Sequence, residues 1–150
     1  MANTYTQLFV HIIFSTGGKE KVLLKSFREE LFKYISGIIN QKGQKSLAVN
    51  GTIDHIHIFA GIQPTITVAD LVRDVKHSST NFIKEKGFIR NKFNWQKGYG
   101  AFTYSKSQKN DVIKYIMNQE EHHKRKTFEE EYLEFLDRFE IVYDEKYVFG

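Results

Sequence analysis

The chain has no cysteine among its 150 residues, so disulfides and thiolate metal sites are excluded, and any bound metal must be held by imidazole, carboxylate or amide groups. It has one proline, Pro64, which closes a strand region. No apolar run approaches the roughly 20 residues of a membrane span. The opening Met1-Ala2-Asn3-Thr4-Tyr5 lacks the basic and apolar regions of a signal peptide, so a cytoplasmic protein without a membrane partner is expected. Internal repeats, low-complexity segments and linkers are also missing, and the length suits a single domain spanning residues 1–150.

What is present is charge, unevenly placed. The net charge is +4, yet residues 84–114 hold eight basic and two acidic side chains while residues 115–150 hold five basic and ten acidic. The basic block is interleaved with Phe88, Phe93, Trp95, Tyr99, Phe102 and Tyr104, a mixture suited to phosphate contacts and base stacking. A solvated lysine face beside ordinary core aromatics would look the same. Arg90, Lys92, Lys97, Lys106, Lys109 and Lys114, with Lys76 on the preceding helix, are the candidate DNA contacts.

Hydrophobic periodicity orders the elements. Thr4–Thr16 alternates as a strand, with Leu8, Val10, Ile12 and Phe14 on one face and Phe9, His11 and Ile13 on the other, ended by Gly17-Gly18. Ser26 with Glu29 predicts a capping box for a helix that Gly43 stops, and Lys45–Asn50 forms a hairpin with the strand after Gly51. Thr67 with Asp70 opens a second helix that ends before Gly87, and Gly98–Tyr104 reads as a fourth strand. This β-α-β-β-α-β order predicts an α+β, ferredoxin-like antiparallel sheet with both helices on one face and the other face free. Two further helices follow, one capped by Ser107 and running to about Arg125, the other capped by Thr127 with Glu130. The end, Ile141–Phe149, is either a short strand or a packed tail.

The third strand, Ile53-Asp54-His55-Ile56-His57-Ile58-Phe59-Ala60, carries two histidines on one face. At about 3.3–3.4 Å per residue their Cα atoms stand roughly 7 Å apart, close enough to converge on one divalent ion. A merely hydrogen-bonded histidine pair is the competing reading. His11 shares their face. Asp54 points the other way by alternation, which excludes it as a ligand and leaves it a supporting or turn role. In the helix after the fourth strand, Tyr115 and Gln119 lie one turn apart on one face. A phenol ionised at pH 7 costs on the order of 4 kcal/mol, which a neighbouring cation must offset.

Taken together, His-hydrophobe-His on the third strand, Trp95 with Gly98-Tyr99-Gly100-Ala101-Phe102, and Tyr-Ile-x-Asn-Gln-x-x-His-His at 115–123 make the chain resemble the single-tyrosine transposases of the HUH nuclease superfamily. The resemblance implies that His55, His57 and Gln119 bind Mg²⁺ or Mn²⁺ and that Tyr115 attacks a DNA phosphate, giving a 5′-phosphotyrosine link and a free 3′-hydroxyl. It also implies single-stranded DNA with hairpins as partner, a homodimer whose tyrosine helix can complete the partner's site, and no small-molecule cofactor. His11 and Asn118 are candidate supporting residues behind the ligands, while His122 and His123 match the pattern without an evident role. Two alternatives stay open: a nucleic-acid-binding module without chemistry, and a metal phosphodiesterase that uses water instead of Tyr115.

Overall fold

Strand β1, Leu8–Ser15, shows how alternation sets the architecture: Val10, Ile12 and Phe14 enter one apolar core, while Phe9, His11 and Ile13 face the opposite side. The structure is a computed structural model that describes residues 3–150; Met1 and Ala2, part of the stretch read for a signal sequence, lie outside the described residues. Strands β2 (Lys45–Gly51), β3 (His55–Ile62) and β4 (Gly100–Tyr104) join β1 in an antiparallel sheet of order β2-β3-β1-β4. Helices α1 (Lys25–Gln41) and α2 (Val68–Lys86) bury Leu31, Ile35, Ile39, Leu71, Val75 and Ile83 against the face carrying Ile12, Ile56 and Ile58. This is the expected α+β, ferredoxin-like order, with the first and third strands adjacent.

Local signals explain most of the boundaries. Thr67 Oγ1 accepts the Asp70 backbone N–H at 3.0 Å to open α2, and Gly87 at φ +66° ends it. Helix α1 differs from expectation. It begins at Lys25 with Leu24 in the capping position, so Ser26 sits inside the first turn and the Ser26–Glu29 box does not form. Its entry is fixed instead by buried Leu23, whose N–H donates to Ile53 O at 2.9 Å and whose carbonyl accepts from Arg28 Nη1 at 3.0 Å.

The second sheet face is not free. Helices α3 (Lys109–Met117), α4 (Gln119–His122) and α5 (Phe128–Arg138) cover it. Val112 and Ile116 of α3 pack on Ala48 and Phe59, and Phe128, Tyr132, Phe135 and Leu136 of α5 pack on Ile13 and Phe102. Gly100 permits this closeness, because a Cβ there would stand 2.9 Å from Tyr132 Cε1. The expected helix to Arg125 breaks at Asn118, and its cap is Ser105, whose N–H donates to Gln108 Oε1 at 3.1 Å ahead of a 3₁₀ turn; Ser107 lies within that turn. The Thr127–Glu130 box of α5 does form, with reciprocal bonds of 3.2 and 3.3 Å. Beyond α5 the chain is a packed tail of turns, with Val148 and Phe149 against the α5 cluster.

Candidate active site

Register brings the histidines together. Ser15 pairs with His55 and Ile13 with His57, which sets His11 diagonal to His57 on the covered face. All three imidazoles are fully buried, so each polar atom needs a partner. His55 Nδ1 lies 2.7 Å from Asp54 Oδ1 and 3.0 Å from Thr52 Oγ1, which turns Nε2 inward to 3.1 Å from Gln119 Oε1. His57 Nδ1 meets His11 Nε2 at 2.8 Å, and its Nε2 lies 3.0 Å from Glu131 Oε1. The same oxygen is 3.1 Å from His123 Nε2 and 3.5 Å from His55 Nε2. The other carboxylate oxygen, Oε2, accepts a 3.2 Å bond from Gln119 Nε2 and a short one from the Tyr115 hydroxyl.

Glu131 is therefore the hub, and its charge organises the rest. Burial alone would raise its pKa, but His57, His123 and His55 around it hold it well below the usual carboxylate range. His55 would be lowered by burial, yet hydrogen bonds and charge from Asp54 and Glu131 raise it to about 9. His57 is lowered, chiefly by burial, against the pull of Glu131. Burial and the Glu131 carboxylate push the Tyr115 phenol far above its ordinary value, so in this arrangement it is a protonated donor. One ligand atom each from His55, His57, His123 and Glu131 lies within 4.8 Å of the others, a nitrogen–oxygen donor set that fits a divalent cation.

A family model described as "Transposase IS200 like" matches residues 4–119. The chain belongs to the IS200-like transposase family. Such a transposase is a DNA-processing enzyme. Among solved structures it is similar to a Deinococcus radiodurans R1 protein assigned as a transposase, with 22% identity, a TM-score of 0.65, and 79% of this chain and 95% of that one covered. It is also similar to a REP-associated tyrosine transposase bound to a REP hairpin, with 13% identity, a TM-score of 0.57, and coverage of 79% and 70%. At these identities the likeness speaks for the fold. No curated protein matches the chain.

In this transposase the structure brings His55, His57, Gln119, Tyr115 and His11 together. Asn118 is elsewhere: the helix breaks there and its side chain is exposed, away from the cluster it was expected to support. Lys76 is also not a free phosphate contact, because its ammonium donates to the carbonyls of Gln96 at 2.6 Å, Gly98 at 2.9 Å and Lys97 at 3.3 Å. Trp95 is buried in a core against Phe14, and its Nε1 donates to Ser79 Oγ at 2.9 Å, so it is no stacking platform. Phe102 is likewise a core residue. Arg90, Lys92, Lys97, Lys106 and Lys114 are exposed, and Lys109 is half-buried with its Nζ 5.9 Å from the Phe9 ring.

Two participants escape the sequence reading, His123 in its role and Glu131 altogether, while Asp54 takes the supporting place left open to it. Asp54 precedes the first residue of β3, so strand alternation does not govern it and its carboxylate reaches back to His55. His123 matches the family pattern, but nothing in its position along the chain assigns it to the cluster. Glu131 did leave a signal: with Phe128, Tyr132 and Phe135 it falls on the apolar stripe of α5, where a carboxylate has to find buried partners.

Proposed function

We propose that this transposase cleaves and rejoins single-stranded DNA with Tyr115 as nucleophile, assisted by a divalent metal, Mg²⁺ or Mn²⁺, held by His55, His57 and Gln119. The observation that carries this reading is that the Tyr115 hydroxyl, the Gln119 amide and both β3 imidazoles meet around one carboxylate within a single chain. When bound, such an ion polarises the phosphate and steadies the departing oxygen. The Tyr115 hydroxyl gives up its proton and its oxygen forms the new bond to phosphorus as the P–O3′ bond breaks, one proton lost from the phenol for the one gained by the departing oxygen. The 5′ side is left on the tyrosine, and the released 3′ oxygen takes up a proton to become a hydroxyl. Reversal on another end rejoins strands, because the linkage energy is kept in the phosphotyrosine.

Asp54 and Thr52 orient the His55 ring, and His11 orients that of His57, as partners of metal-binding imidazoles commonly do. A cleft of about 520 Å³ opens beside His123, lined by Lys19, Lys21, Lys25, Arg28, Lys124 and Lys126 against Asp54, Glu120 and Glu129; Glu120 holds Lys25 and Arg28, which leaves Lys19 and Lys21 as the cations best placed for a DNA backbone. The exposed Arg90, Lys92, Lys97, Lys106 and Lys114, with Lys109, are proposed as further phosphate contacts. A hairpin is the proposed DNA form, as in the REP-hairpin complex of the similar transposase.

Incubation with hairpin-bearing single-stranded DNA and Mn²⁺ should give a protein–DNA adduct that survives a denaturing gel, and Tyr115→Phe should abolish it. Binding without attachment would instead favour a non-catalytic module, and cleavage without attachment a hydrolase.

A further inference from the structure

Three imidazole nitrogens, His55 Nε2, His57 Nε2 and His123 Nε2, stand 3.5, 3.0 and 3.1 Å from the single oxygen Glu131 Oε1. His57 and His123 take up the two lone pairs of that oxygen, and His55 Nε2, bonded to Gln119 Oε1 at 3.1 Å, is turned to the same spot. Four donors around a small tetrahedral ion, with bonds of about 2.0–2.1 Å, have mutual separations of about 3.4 Å. The spacings from Oε1 straddle that value, while the group as a whole spans up to 4.8 Å, so an ion would draw the ring nitrogens inward as it binds. The ring orientations agree as well, since the far nitrogens of His55 and His57 are held by Asp54 and His11 and their near nitrogens point at the common centre.

We infer that His123 and Glu131 join His55 and His57 in a closed, four-donor site for a tetrahedral transition-metal ion of the Zn²⁺ class, and that filling it clamps α5 over Tyr115. The inference rests on the reading that His55 and His57 face a cation, and adds ligands and a metal class to it. Both added residues lie beyond the family-matched segment, which ends at residue 119. Three imidazoles and one carboxylate suit Zn²⁺, whereas Mg²⁺ demands octahedral oxygen and retains water. A site with all four positions filled by protein is of the structural kind, with no position open to a phosphate. The cage is thus the resting form. The form that takes DNA has Glu131 withdrawn, leaving Gln119 as the third ligand beside an open position.

The test measures zinc, not strand transfer. Chelator-stripped protein is titrated with Zn²⁺ against a chromophoric competitor, and hydrogen exchange of α5 is followed with and without the ion. One Zn²⁺ per chain is expected, with slowed exchange in α5. His123→Ala and Glu131→Gln should each weaken binding ten- to a hundredfold and cancel the slowing, while His77→Ala, which removes an exposed imidazole on α2, should leave zinc affinity and α5 exchange unchanged. His123 reaches the cleft, so its alanine variant is expected to fold, and the glutamine at 131 keeps the volume of the original side chain. Zinc affinity unchanged in both His123→Ala and Glu131→Gln, loss in His77→Ala as large as theirs, or no stoichiometric zinc binding overturns the inference. Adduct formation with Mn²⁺ is scored separately, so either reading can fail alone.

Discussion

His55 couples the cluster to pH in a direction that can be worked out. Its folded-state pKa, about 9, lies above the ordinary 6.5, so its contribution to stability is complete below pH 6.5 and fades as pH climbs through 9. His11 and His57 run the other way. Burial keeps both neutral in the folded state, so the unfolded chain takes up their protons first and stability grows as pH rises towards 6.5. Metal-free protein should therefore be most stable near pH 6.5 and lose the His55 contribution progressively between pH 6.5 and about 9, which urea denaturation across pH 5–10 checks. Lys76, lowered to about 8 by burial, blunts the upper decline, since it adds stability from pH 8 towards 10.5. Comparison with His55→Gln isolates the His55 part. Glu131→Gln should cost metal-free protein about 3 kcal/mol, because it leaves buried imidazoles without their counter-charge.

Among the elements, α5 decides whether the site is open or sealed, and its N-terminus is the accessible lever. Thr127→Ala removes the side-chain acceptor of the capping box and should cost about 1 kcal/mol, raising the exchange rate of α5 amides roughly fivefold if they open locally. How α5 would lie was hard to read in advance. The faces of β1 and β3 were legible because the side-chain period of a strand is two, so Ile12 and His11 could be sorted by counting. A helix stripe says only that one side must be buried and is silent on the partner. The spacing of Phe128, Tyr132 and Phe135 thus marks an apolar stripe but does not show that it covers His11 and His57. The same limit hid the fate of Trp95, since an aromatic residue in a basic segment reads alike whether it stacks on bases or fills a core beside Phe14. The helix break at Asn118 carried no proline or glycine to announce it.

At the level of the whole molecule, the arrangement bears on how many chains one site needs. The apolar side of α3, Val112 and Ile116, already rests on Ala48 and Phe59 of its own sheet, and Tyr115 reaches the cluster of its own chain. Mixing Tyr115→Phe with His57→Ala protein should consequently not restore the adduct; restoration would show that tyrosine helices are exchanged between the subunits of a dimer. Removing charge at Lys19 and Lys21 in the basic cleft should weaken single-stranded DNA binding and lower its salt dependence by about one phosphate contact per lysine.

Gly100 offers a wedge for separating these effects. A single methyl group placed there meets the Tyr132 ring at 2.9 Å and is remote in chemistry from every imidazole and carboxylate of the cluster. Gly100→Ala should prise α5 away from β4 and, because Glu131 rides on that helix beside Tyr132, loosen its hold on the β3 imidazoles without altering any ligand side chain. If the lid rather than the ligands limits turnover, this crowding substitution in the core would make the enzyme less stable and faster.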